Sequence, residues 1–522
     1  MDCSTVSETA PTGTAAHRLE SLTSWDADWA GLAVVVTGIS KTGFSVADTL
    51  AELGARVVVV AASDDAESVA LADTLKIVGV KDVILGAATS TVLPLVEGEQ
   101  AQLVVTSPGY QPSHPLLAAA AAANIPIWGD VELAWRVRTK AGRKTAAWIT
   151  ITGTNGKTTT TTMVESMLQG AGLRAIAAGN IGTPILDAVR DPVGYDALAV
   201  ELSSFQLHWT ESLAPVASVC LNLAEDHVDW HGSFDAYAAD KAKIYANTQI
   251  ACVYNAEQIE TERMVEAADV QEGCRAVGFT TAIPAISMVG VVEGLLVDRA
   301  FLAERKDSAT ELAKISDIGD LVPRHLVANA AAAAALVLAY GLTPADVRKG
   351  LQAYHNGDHR IQAVASAEGV LWVNDSKATN PHAAAASLAA FNPVIWIAGG
   401  LSKGVDYNQL VREHAARLKA VILIGEDSSD LAGSLARHAP NVRVIPAVGA
   451  HTETVGQTSN GDAVMAQAVA QAAALSAPGD TVLMAPASAS MDQFASYAHR
   501  GQAFIDSVRE LLESRASVKK ES

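Results

Sequence analysis

Apolar, β-branched runs alternate along most of the chain with segments of helical periodicity. The predicted strands cover residues 32–36, 56–60, 102–105, 125–127, 148–152, 196–200, 216–221, 370–374, 394–398 and 481–485. The alanine-rich segment from His325 to Tyr340 predicts a buried helix. Alternation of this length is typical of parallel, doubly wound α/β sheets, which bind their ligands at the carboxyl ends of the strands.

Chain length and two polar segments divide this pattern into domains. A chain of 522 residues is long enough for about three domains, each with its own core. Residues 138–144 are polar and aperiodic, which predicts a linker, and residues 356–360 mark a second boundary. The predicted parts are a flexible extension at 1–28, an N-terminal domain at 29–144, a central domain at 145–356 and a C-terminal domain at 357–522. The extension has no apolar segment, so a signal peptide is not expected.

The strand at 148–152 leads into a glycine-framed turn and then into a helix, which is the order of a phosphate-binding loop. Its backbone N–H groups can surround phosphate oxygens, Lys157 can reach the β- and γ-phosphates, and the Thr158 hydroxyl can hold Mg²⁺. The spacing G-x-x-G-K-T is shorter than the common loop, and a chance glycine turn is the alternative. The loop reads Gly153, Thr154, Asn155, Gly156, Lys157, Thr158 and Thr159.

Amino-acid composition and net charge exclude several kinds of ligand and partner. Lys and Arg number 37 against 57 Asp and Glu, so the formal net charge is 37 − 57 = −20, and nucleic acid is not an expected partner. The four cysteines lie far apart in the sequence without a C-x-x-C pair, which favours a reducing cytosol and a structural role over a disulfide or a zinc site. The longest apolar tract, 330–340, is too short to cross a bilayer, so a cytoplasmic protein without a membrane partner is predicted.

Two polar strand ends in the central region suggest a catalytic edge. Glu201 follows one predicted strand, and Glu225-Asp226-His227 comes shortly after another. If these strands run parallel to the strand before Lys157, all three groups lie at one edge of the sheet. A lysine for phosphate with oxygen and imidazole ligands for Mg²⁺ is typical of phosphoryl transfer. Taken singly, Glu201 or His227 would more often be a solvated strand end, so the prediction depends on their convergence with Lys157.

The helix predicted from Ser233 to Tyr245 contains one lysine on its apolar face. Lys241 falls among the apolar positions, whereas Lys243 points to the opposite face. An inward ammonium is costly unless it is paired or chemically changed, so Lys241 is a candidate functional residue. The alternative is a lysine whose stem is buried and whose ammonium reaches the rim of the sheet.

The first region favours a nucleotide or sugar-nucleotide site. Gly38 and Gly43 frame the turn between the first strand and its helix, although a tight turn alone would also explain them. The spacing is not the dinucleotide fingerprint G-x-G-x-x-G, and Ala61 occupies the strand end where an acidic residue would bind ribose.

Lysines and hydroxyls also follow three strands of the last region. The three loops contain Lys377 and Thr379, then Lys403, then Ser488 and Ser490. Such side chains suit a carboxylate or phosphate ligand, whereas any one of them alone could simply solvate a sheet edge.

Together these motifs resemble the Mur ligases, in order and over residues 32 to 510. The phosphate loop and Glu-Asp-His are shared with the wider superfamily that includes folylpolyglutamate synthetases, whereas two motifs resemble the D-glutamate-adding members. The motifs are Gly153-Thr-Asn-Gly-Lys-Thr158, Gly179-Asn-Ile-Gly182, Glu201-Leu-Ser-Ser-Phe-Gln-Leu207, Glu225-Asp-His227, Lys241-x-x-Ile-Tyr245, His359-Arg360, Asn374-Asp-Ser-Lys-Ala-Thr-Asn380 and Ser488-x-Ser490-x-Asp-Gln-Phe494.

The resemblance implies three α/β domains: a Rossmann-like N-terminal sheet, a central P-loop sheet and a Rossmann-like C-terminal sheet. It implies an ATP-dependent amide ligase that adds D-glutamate to UDP-N-acetylmuramoyl-L-alanine through an acyl phosphate, acting as a monomer in cytoplasmic peptidoglycan precursor synthesis. Two Mg²⁺ sites are expected. The implied metal ligands are Thr158, Glu201, His227 and a carbamylated Lys241.

The remaining site residues also follow from the resemblance. ATP would be bound by the phosphate loop with Asn329, Arg360 and Asp375, and Arg360 would also serve catalysis. The UDP-linked substrate would contact Thr42, Ser107, Pro108, Gly109 and Asn180. D-glutamate would contact Lys377, Thr379, Lys403, Ser490 and Tyr497. Two departures from the family pattern, Ala61 and Asp358, concern the uridine contacts and the residue before His359-Arg360.

Two alternative functions fit parts of the pattern. A sister amide ligase that adds another amino acid, to a muramoyl peptide or to folate, would use the same central domain. A nucleotide-regulated binding protein or a nicotinamide-dependent enzyme would instead use the first domain for its cofactor.

Overall fold

The computed structural model describes residues 18–319, 321–402, 404–447 and 461–521. The chain divides into two compact units, the first formed by Met1–Asp317 with Ala328–Tyr354 and the second by Ile318–Val327 with His355–Ser522. The first unit holds two β-sheets and the second holds one, so the predicted three-domain α/β organisation is confirmed. The residue boundaries predicted between domains stay predictions. No helix in the described ranges combines the length and apolar composition needed to cross a membrane.

The first sheet is parallel and covered on both faces. Its strands are β1 Ala33–Thr37, β2 Arg56–Ala61, β3 Asp82–Leu85, β4 Leu103–Thr106 and β5 Ile127–Gly129, and its helices are α1 Lys41–Glu52, α2 Ala66–Ile77, α3 Pro115–Ala122 and α4 Asp130–Val137. The strand order is β3-β2-β1-β4-β5. All five residues of β1 are buried, and the first four are apolar, as is typical of a strand covered on both faces. The last strand begins at Ile127, two residues later than predicted, because Pro126 has no N–H to donate.

The central sheet has nine strands in the order β14-β13-β12-β11-β10-β9-β6-β8-β7. The strands are β6 Ala147–Thr152, β7 Ala175–Gly179, β8 Ala197–Glu201, β9 Ala217–Cys220, β10 Ala251–Asn255, β11 Arg275–Phe279, β12 Met288–Val292, β13 Leu295–Asp298 and β14 Thr310–Lys314. The helices of this part of the chain are α5 Lys157–Gly170, α6 Ile185–Arg190, α7 Ser204–His208, α8 Val228–His231, α9 Phe234–Ala242, α10 Ile259–Glu266, α11 Arg324–Tyr340 and α12 Pro344–Ala353.

Strand β6 lies between β8 and β9 and runs parallel to both. Ile151 stands opposite Glu201, and Thr152 stands opposite Cys220. The residues that follow β6, β8 and β9 therefore emerge at one edge, as the sequence predicted. Strand β12 pairs in parallel with β11, and β13 and β14 then add antiparallel pairs that extend the sheet on the side away from β8 and β7.

The second unit contains a six-stranded sheet in the order β15-β16-β20-β17-β18-β19. Its strands are β15 Gln362–Ala367, β16 Val370–Asn374, β17 Val394–Gly399, β18 Leu418–Ile424, β19 Arg443–Pro446 and β20 Thr481–Met484. Its helices are α13 Pro381–Leu388, α14 Asn408–His414, α15 Ser429–His438, α16 Gly461–Leu475 and α17 Tyr497–Glu521. Strand β20 runs parallel between β16 and β17, so the three loops with candidate side chains emerge side by side.

The fold brings together two cysteines that are distant in the sequence. The Sγ atoms of Cys252 and Cys274 are 3.8 Å from each other. They meet because β10 and β11 are neighbouring parallel strands, which closes the 22-residue separation.

A buried glutamate joins the first sheet to the central one. The Glu132 side chain, on α4, has no exposed surface and pairs with Arg136 at 2.6 Å. Its other oxygen accepts hydrogen bonds from the backbone N–H groups of Glu211 at 2.8 Å and Ser212 at 2.9 Å. Burial opposes ionisation, but the hydrogen bonds from Ser212 and Glu211 outweigh it and hold the pKa of Glu132 below its ordinary value.

Asp130, two residues before Glu132, is also buried, but fewer hydrogen bonds stabilise its charged form. One carboxylate oxygen accepts a hydrogen bond from Gln206 Nε2 at 3.0 Å, and the other is buried with no hydrogen-bond partner among the described residues. Burial therefore raises the pKa of Asp130 to about 6. An acid whose folded pKa is raised costs stability above its unfolded pKa, and the cost is complete once the pH exceeds the folded value.

We predict that Asp130→Asn removes a pH-dependent loss of stability. The wild-type protein should lose about 2 kcal/mol of unfolding free energy from this group between pH 4 and pH 7, and the Asp130→Asn variant should not. Urea unfolding at pH 4 and at pH 7 gives, for each protein, the change in unfolding free energy with pH, which is the slope to be compared. Effects of the substitution that do not depend on pH cancel in this slope. Asp73→Asn, on the exposed side of α2, is the control and should leave the slope unchanged. Equal slopes in all three proteins would contradict the prediction.

Candidate functional site

The phosphate loop lies between β6 and α5 in a conformation that requires its glycines. Gly153 has φ 149° and Gly156 has φ 82°, values that L side chains rarely adopt. A Cβ atom on Gly156 would lie 2.5 Å from Asn329 Oδ1. The buried Asn329 therefore sits directly against the loop, which agrees with its assignment to the same site from the sequence.

Asn222, two residues after the end of β9, fixes the loop from one side. Its Oδ1 accepts a hydrogen bond from Asn155 N at 2.8 Å, and its Nδ2 donates one to Asn155 O at 3.0 Å. Its backbone oxygen also accepts from Thr154 N at 3.0 Å. Sequence reasoning missed this residue, although an asparagine at the end of a strand beside the loop was a usable signal. The Thr154 hydroxyl bonds to Tyr237 Oη at 2.9 Å, so it too holds the loop in place.

Two lysine ammonium groups share one carbonyl oxygen of the loop. Lys157 Nζ donates to Gly153 O at 2.9 Å and Thr154 O at 3.0 Å. Lys241 Nζ donates to the same Gly153 O at 3.0 Å and to Thr152 Oγ1 at 3.2 Å. Lys241 is 2% exposed, so the alternative in which its ammonium reaches the rim is wrong. Burial, followed by the charge of Lys157, lowers the pKa of Lys241 to about 7.

Glu201 supplies a buried carboxylate at the same edge. Its Oε1 accepts a hydrogen bond from Asn180 Nδ2 at 2.8 Å. Its Oε2 is buried and has no hydrogen-bond partner among the described residues. An unpaired buried carboxylate oxygen is costly, and a cation would satisfy it. Asn180 here orients Glu201, and its predicted contact with substrate stays a prediction.

His227 occupies a left-handed backbone conformation, φ 52°, at the start of α8. Its ring meets the Phe205 ring edge-on at a centroid distance of 4.8 Å. Burial lowers its pKa against the opposing charge of Asp226, and Lys157 lowers it further. The ring is therefore neutral near pH 7, the form that binds metal ions. In the described ranges, no three His, Cys, Asp or Glu side chains converge as a metal site.

A chain of buried hydrogen bonds connects the elements that carry Glu201, His227 and Lys241. His231 Nε2 lies 2.9 Å from Ser204 Oγ, and His231 Nδ1 lies 2.9 Å from Asp240 Oδ2. Because a carboxylate only accepts, His231 donates from Nδ1 and accepts the Ser204 hydroxyl at Nε2. The His231 side chain has no exposed surface. Helices α7, α8 and α9 are thereby fixed to one another, and sequence reasoning did not find this network.

Asp240 has two further partners in this network. His208 Nδ1 lies 2.8 Å from its Oδ2, and Lys243 Nζ lies 2.9 Å from its Oδ1. Lys243 is exposed, as predicted, with 41% of its side-chain surface accessible. Ser204 is 3% exposed, so the Ser–His–Asp arrangement has no access to a substrate and serves as a brace.

In the second unit the three predicted loops meet. Leu401 N donates to Ala489 O at 3.0 Å, and Ala487 N donates to Ala378 O at 2.9 Å. Lys377 Nζ lies 3.8 Å from the centroid of the Tyr497 ring, which brings two predicted D-glutamate residues together. Thr379 is half-buried and Ser490 is buried in neighbouring loops. Lys403 lies outside the described residues.

A fully buried arginine that sequence reasoning missed holds these loops together. Arg500 Nε donates to Ser376 Oγ at 3.1 Å, and Nη2 donates to Ser376 O at 3.0 Å. Its Nη1 donates to Ser488 O at 3.1 Å. Burial lowers the pKa of Arg500 to about 10, which leaves it charged at neutral pH.

Two predicted nucleotide-binding residues belong to the second unit. Arg360 comes shortly before β15, and Asp375 comes directly after β16. Asp375 is buried, its Oδ1 accepts from Ile361 N at 3.3 Å, and Ser387 donates to its other oxygen. Burial raises the pKa of Asp375 to about 6, although the nearby Arg360 opposes the shift. Arg360 is half-buried and follows His359, whose ring bonds to Asn374 at 2.9 Å.

The predicted UDP residues lie at the carboxyl edge of the first sheet. Thr42 is in the first turn of α1, and Ser107, Pro108 and Gly109 follow β4, which pairs directly with β1. Ser107 Oγ donates to Thr37 O at 2.6 Å. A Cβ on Gly43 would overlap the Gly38 carbonyl oxygen, so both glycines are required by the turn, whatever it binds.

Comparison with known protein families gives three matches in chain order. The Mur ligase MurD-like N-terminal domain matches residues 32–129, the Mur ligase middle domain matches residues 151–337, and the Mur ligase glutamate ligase domain matches residues 359–488.

Curated relatives match over nearly the full length. The chain is 51% identical over 484 residues to the UDP-N-acetylmuramoylalanine--D-glutamate ligase of Streptomyces coelicolor, an alignment that covers 93% of this chain and 99% of that protein. It is 50% identical over 508 residues to the protein of the same name from Leifsonia xyli subsp. xyli, covering 95% and 96%.

Two solved structures share the fold at low identity. The MurF ligase from Thermotoga maritima in complex with ADP is 17% identical, with a TM-score of 0.54 and coverage of 88% of this chain and 96% of that one. The pseudomurein peptide ligase type C from Methanothermus fervidus is also 17% identical, with a TM-score of 0.53 and coverage of 92% and 99%.

We predict that His231→Phe destabilises the central sheet by about 2 to 3 kcal/mol. Phenylalanine keeps most of the ring volume but leaves the Ser204 hydroxyl and one bond of Asp240 without their partner. Lys243→Ala is the control, because it removes an exposed ion pair to the same Asp240 and should cost less than about 1 kcal/mol. Urea unfolding at pH 7 measures both, and equal losses would show that the buried network does not stabilise these helices.

Proposed function

This chain belongs to the Mur ligase family, and we propose that it joins D-glutamate to UDP-N-acetylmuramoyl-L-alanine with the cleavage of ATP to ADP and phosphate. Relatives about half identical over nearly the whole chain bear the name of this ligase. The product is an amide in the synthesis of peptidoglycan precursors. We assign the reaction to the cytoplasm and to the monomeric chain.

One observation supports this chemistry most directly. The phosphate-loop Lys157, the buried Lys241 and the half-satisfied Glu201 are held at one edge of the central sheet, and both lysines donate to Gly153 O. Two cations and a carboxylate with a free oxygen suit a polyphosphate and its counter-ion, because the developing negative charge finds fixed donors.

The reaction proceeds in two steps. The alanyl carboxylate of the UDP-linked substrate attacks the γ-phosphorus of ATP, which forms an acyl phosphate and releases ADP. Lys157 and the loop amides offset the charge on the transferred phosphoryl group. The amine of D-glutamate then attacks the acyl carbon and forms the new C–N bond. The bond between the acyl carbon and the phosphate oxygen breaks, and phosphate leaves. The amine loses its proton in this step.

The residues at this edge fit Mg²⁺. Glu201 Oε2 lacks a hydrogen-bond partner among the described residues, and the His227 ring is neutral. When bound, Mg²⁺ neutralises phosphate charge and orients the phosphoryl group. Thr158, Glu201 and His227 are the assigned ligands, with Lys241 as the fourth in carbamylated form. We assign two Mg²⁺ sites to this edge.

Carbamylation would resolve the conflict between two ammonium groups and a metal ion. A Lys241 with a pKa of about 7 is partly the free amine at neutral pH, which can add to CO₂ with loss of a proton. The product is an anion in place of a cation, and it supplies the acidic ligand that Glu201 and His227 otherwise lack.

The other assignments keep the residues named from the sequence. ATP is assigned to residues 153–159 with Asn329, Arg360 and Asp375. The UDP-linked substrate is assigned to Thr42, Ser107, Pro108, Gly109 and Asn180, and D-glutamate to Lys377, Thr379, Lys403, Ser490 and Tyr497. The contact between Lys377 and Tyr497 supports the last group, because it places a cation for a carboxylate beside an aromatic wall.

ADP release with each component omitted in turn tests the function. Release should need UDP-N-acetylmuramoyl-L-alanine and should become catalytic only when D-glutamate is present. Lys157→Ala should lower the rate at least about 1,000-fold, because the γ-phosphate loses its fixed cation. Lys144→Ala, an exposed lysine paired with Asp196, is the control and should keep full activity. Turnover with another amino acid but not with D-glutamate would identify a sister ligase instead.

Lys241→Ala tests the carbamate. The variant should be inactive, and a small carboxylic acid such as formate or acetate should restore part of the activity by supplying the missing anion. Lys243→Ala, two residues further on, should remain active and gain nothing from the acid. Full activity of Lys241→Ala without the acid would contradict the assignment.

A further inference from the structure

Cys252 and Cys274 form a pair that the ligase reaction does not use. Cys252 is the second residue of β10, and Cys274 directly precedes β11. The two strands are parallel neighbours in which Cys252 stands opposite Ala276, two residues after Cys274, and the two sulfur atoms are 3.8 Å apart. A disulfide requires them to approach to about 2.05 Å, a shift of under 2 Å.

We propose that Cys252 and Cys274 form a reversible dithiol–disulfide site that is oxidised by hydroperoxides. The short sulfur–sulfur distance carries the proposal, because an intramolecular disulfide forms only where the fold already holds the two sulfur atoms close together. The site lies in the central domain and is independent of the proposed ligase function.

The surroundings of the two thiols differ, which assigns them different roles. Cys252 is 1% exposed, whereas Cys274 is only partly buried. The hydrogen bond between the thiols lowers the pKa of Cys274 to about 7 against the effect of burial, and raises that of Cys252 together with burial. The more accessible and more acidic Cys274 is therefore the thiol that meets the oxidant.

The oxidation takes place in two balanced steps. The Cys274 thiolate attacks one oxygen of the hydroperoxide, the O–O bond breaks, and a sulfenic acid forms while the other oxygen leaves as water or an alcohol after taking up a proton. Cys252 then attacks the Cys274 sulfur, the S–S bond forms, and the S–O bond breaks to release water with the thiol proton. The protein loses two electrons and two protons, and the hydroperoxide is reduced.

Cys220 is the natural internal control. It is fully buried at the end of β9, and its sulfur lies 3.8 Å from Asn222 O. Burial raises its pKa to about 11, so it is not a thiolate at neutral pH. A buried thiol with a high pKa should resist mild oxidation even though it lies in the same sheet.

The pair lies at the end of the sheet away from the candidate active edge. Cys252 and Cys274 are at the amino ends of β10 and β11, whereas the phosphate loop, Glu201 and His227 follow the carboxyl ends of strands parallel to them. A disulfide there closes the segment that contains α10. We expect it to raise the midpoint of thermal unfolding by about 5 °C and to change the rate of ADP release less than about twofold.

The experiment uses the full chain with Cys3→Ser, which leaves three thiols. The reduced protein is treated with a few equivalents of hydrogen peroxide at pH 7 and the thiols are counted after denaturation. The count should fall from three to one, and dithiothreitol should restore it. Mass spectrometry of the digest should show the peptides of Cys252 and Cys274 joined and lighter by two hydrogens.

Further substitutions in that background separate the roles. Cys220→Ser should keep the cross-link, and Cys252→Ser should abolish it and leave a sulfenic acid on Cys274 that dimedone labels. An unchanged thiol count, a cross-link to Cys220, or dimedone labelling of Cys220 in place of Cys274 would overturn the proposal. The peptide map of the parent protein decides the question even if a serine variant does not fold.

Discussion

A single carbonyl oxygen, that of Gly153, accepts hydrogen bonds from the ammonium groups of two lysines, Lys157 and Lys241. The central site must therefore offset the repulsion between two neighbouring positive charges. Two cations this close repel each other, and one of them, Lys241, is almost completely buried. The arrangement is stable only if one ammonium loses its proton or if anions enter. Under the proposed function, a triphosphate would satisfy Lys157, and carbamylation would remove the charge of Lys241. The repulsion between the two ammonium groups would then be relieved in the loaded site.

The scaffold makes this arrangement possible by fixing each contributing element separately. Asn222 holds the backbone of the phosphate loop through three hydrogen bonds, and His231 ties the helices around the site through Ser204 and Asp240. In the second unit Arg500 does the same for the loops after β16 and β20. Buried polar residues of this kind add rigidity only when their hydrogen bonds are satisfied, as they are here. Glu201 Oε2, which these hydrogen bonds leave unsatisfied, is the oxygen assigned to bind Mg²⁺.

The sequence was sufficient for the parts that depend on local pattern. Strand and helix alternation predicted the three sheets, and the position of Lys241 within an apolar stripe made it a candidate, although only the structure decided between a buried ammonium and one at the rim. The pairing of strands that are distant in the sequence could not be predicted in this way. Cys252 and Cys274 are neighbours because β10 pairs with β11, and no periodicity within either strand contains that information. Likewise, Asn222, His231 and Arg500 are single polar residues whose importance depends on what the fold places beside them.

Glu132 and Asp130 show why similar sequence environments can lead to opposite electrostatics. They lie two residues apart on α4, and both are buried where the first sheet meets the central one. Glu132 receives two backbone N–H groups and an arginine, and its pKa falls. Asp130 receives one side-chain amide, and its pKa rises. The difference comes from the number of donors that α7 and the residues after it present to each carboxylate. Burial alone therefore does not determine the charge state, and the donors that do determine it belong to a distant part of the chain.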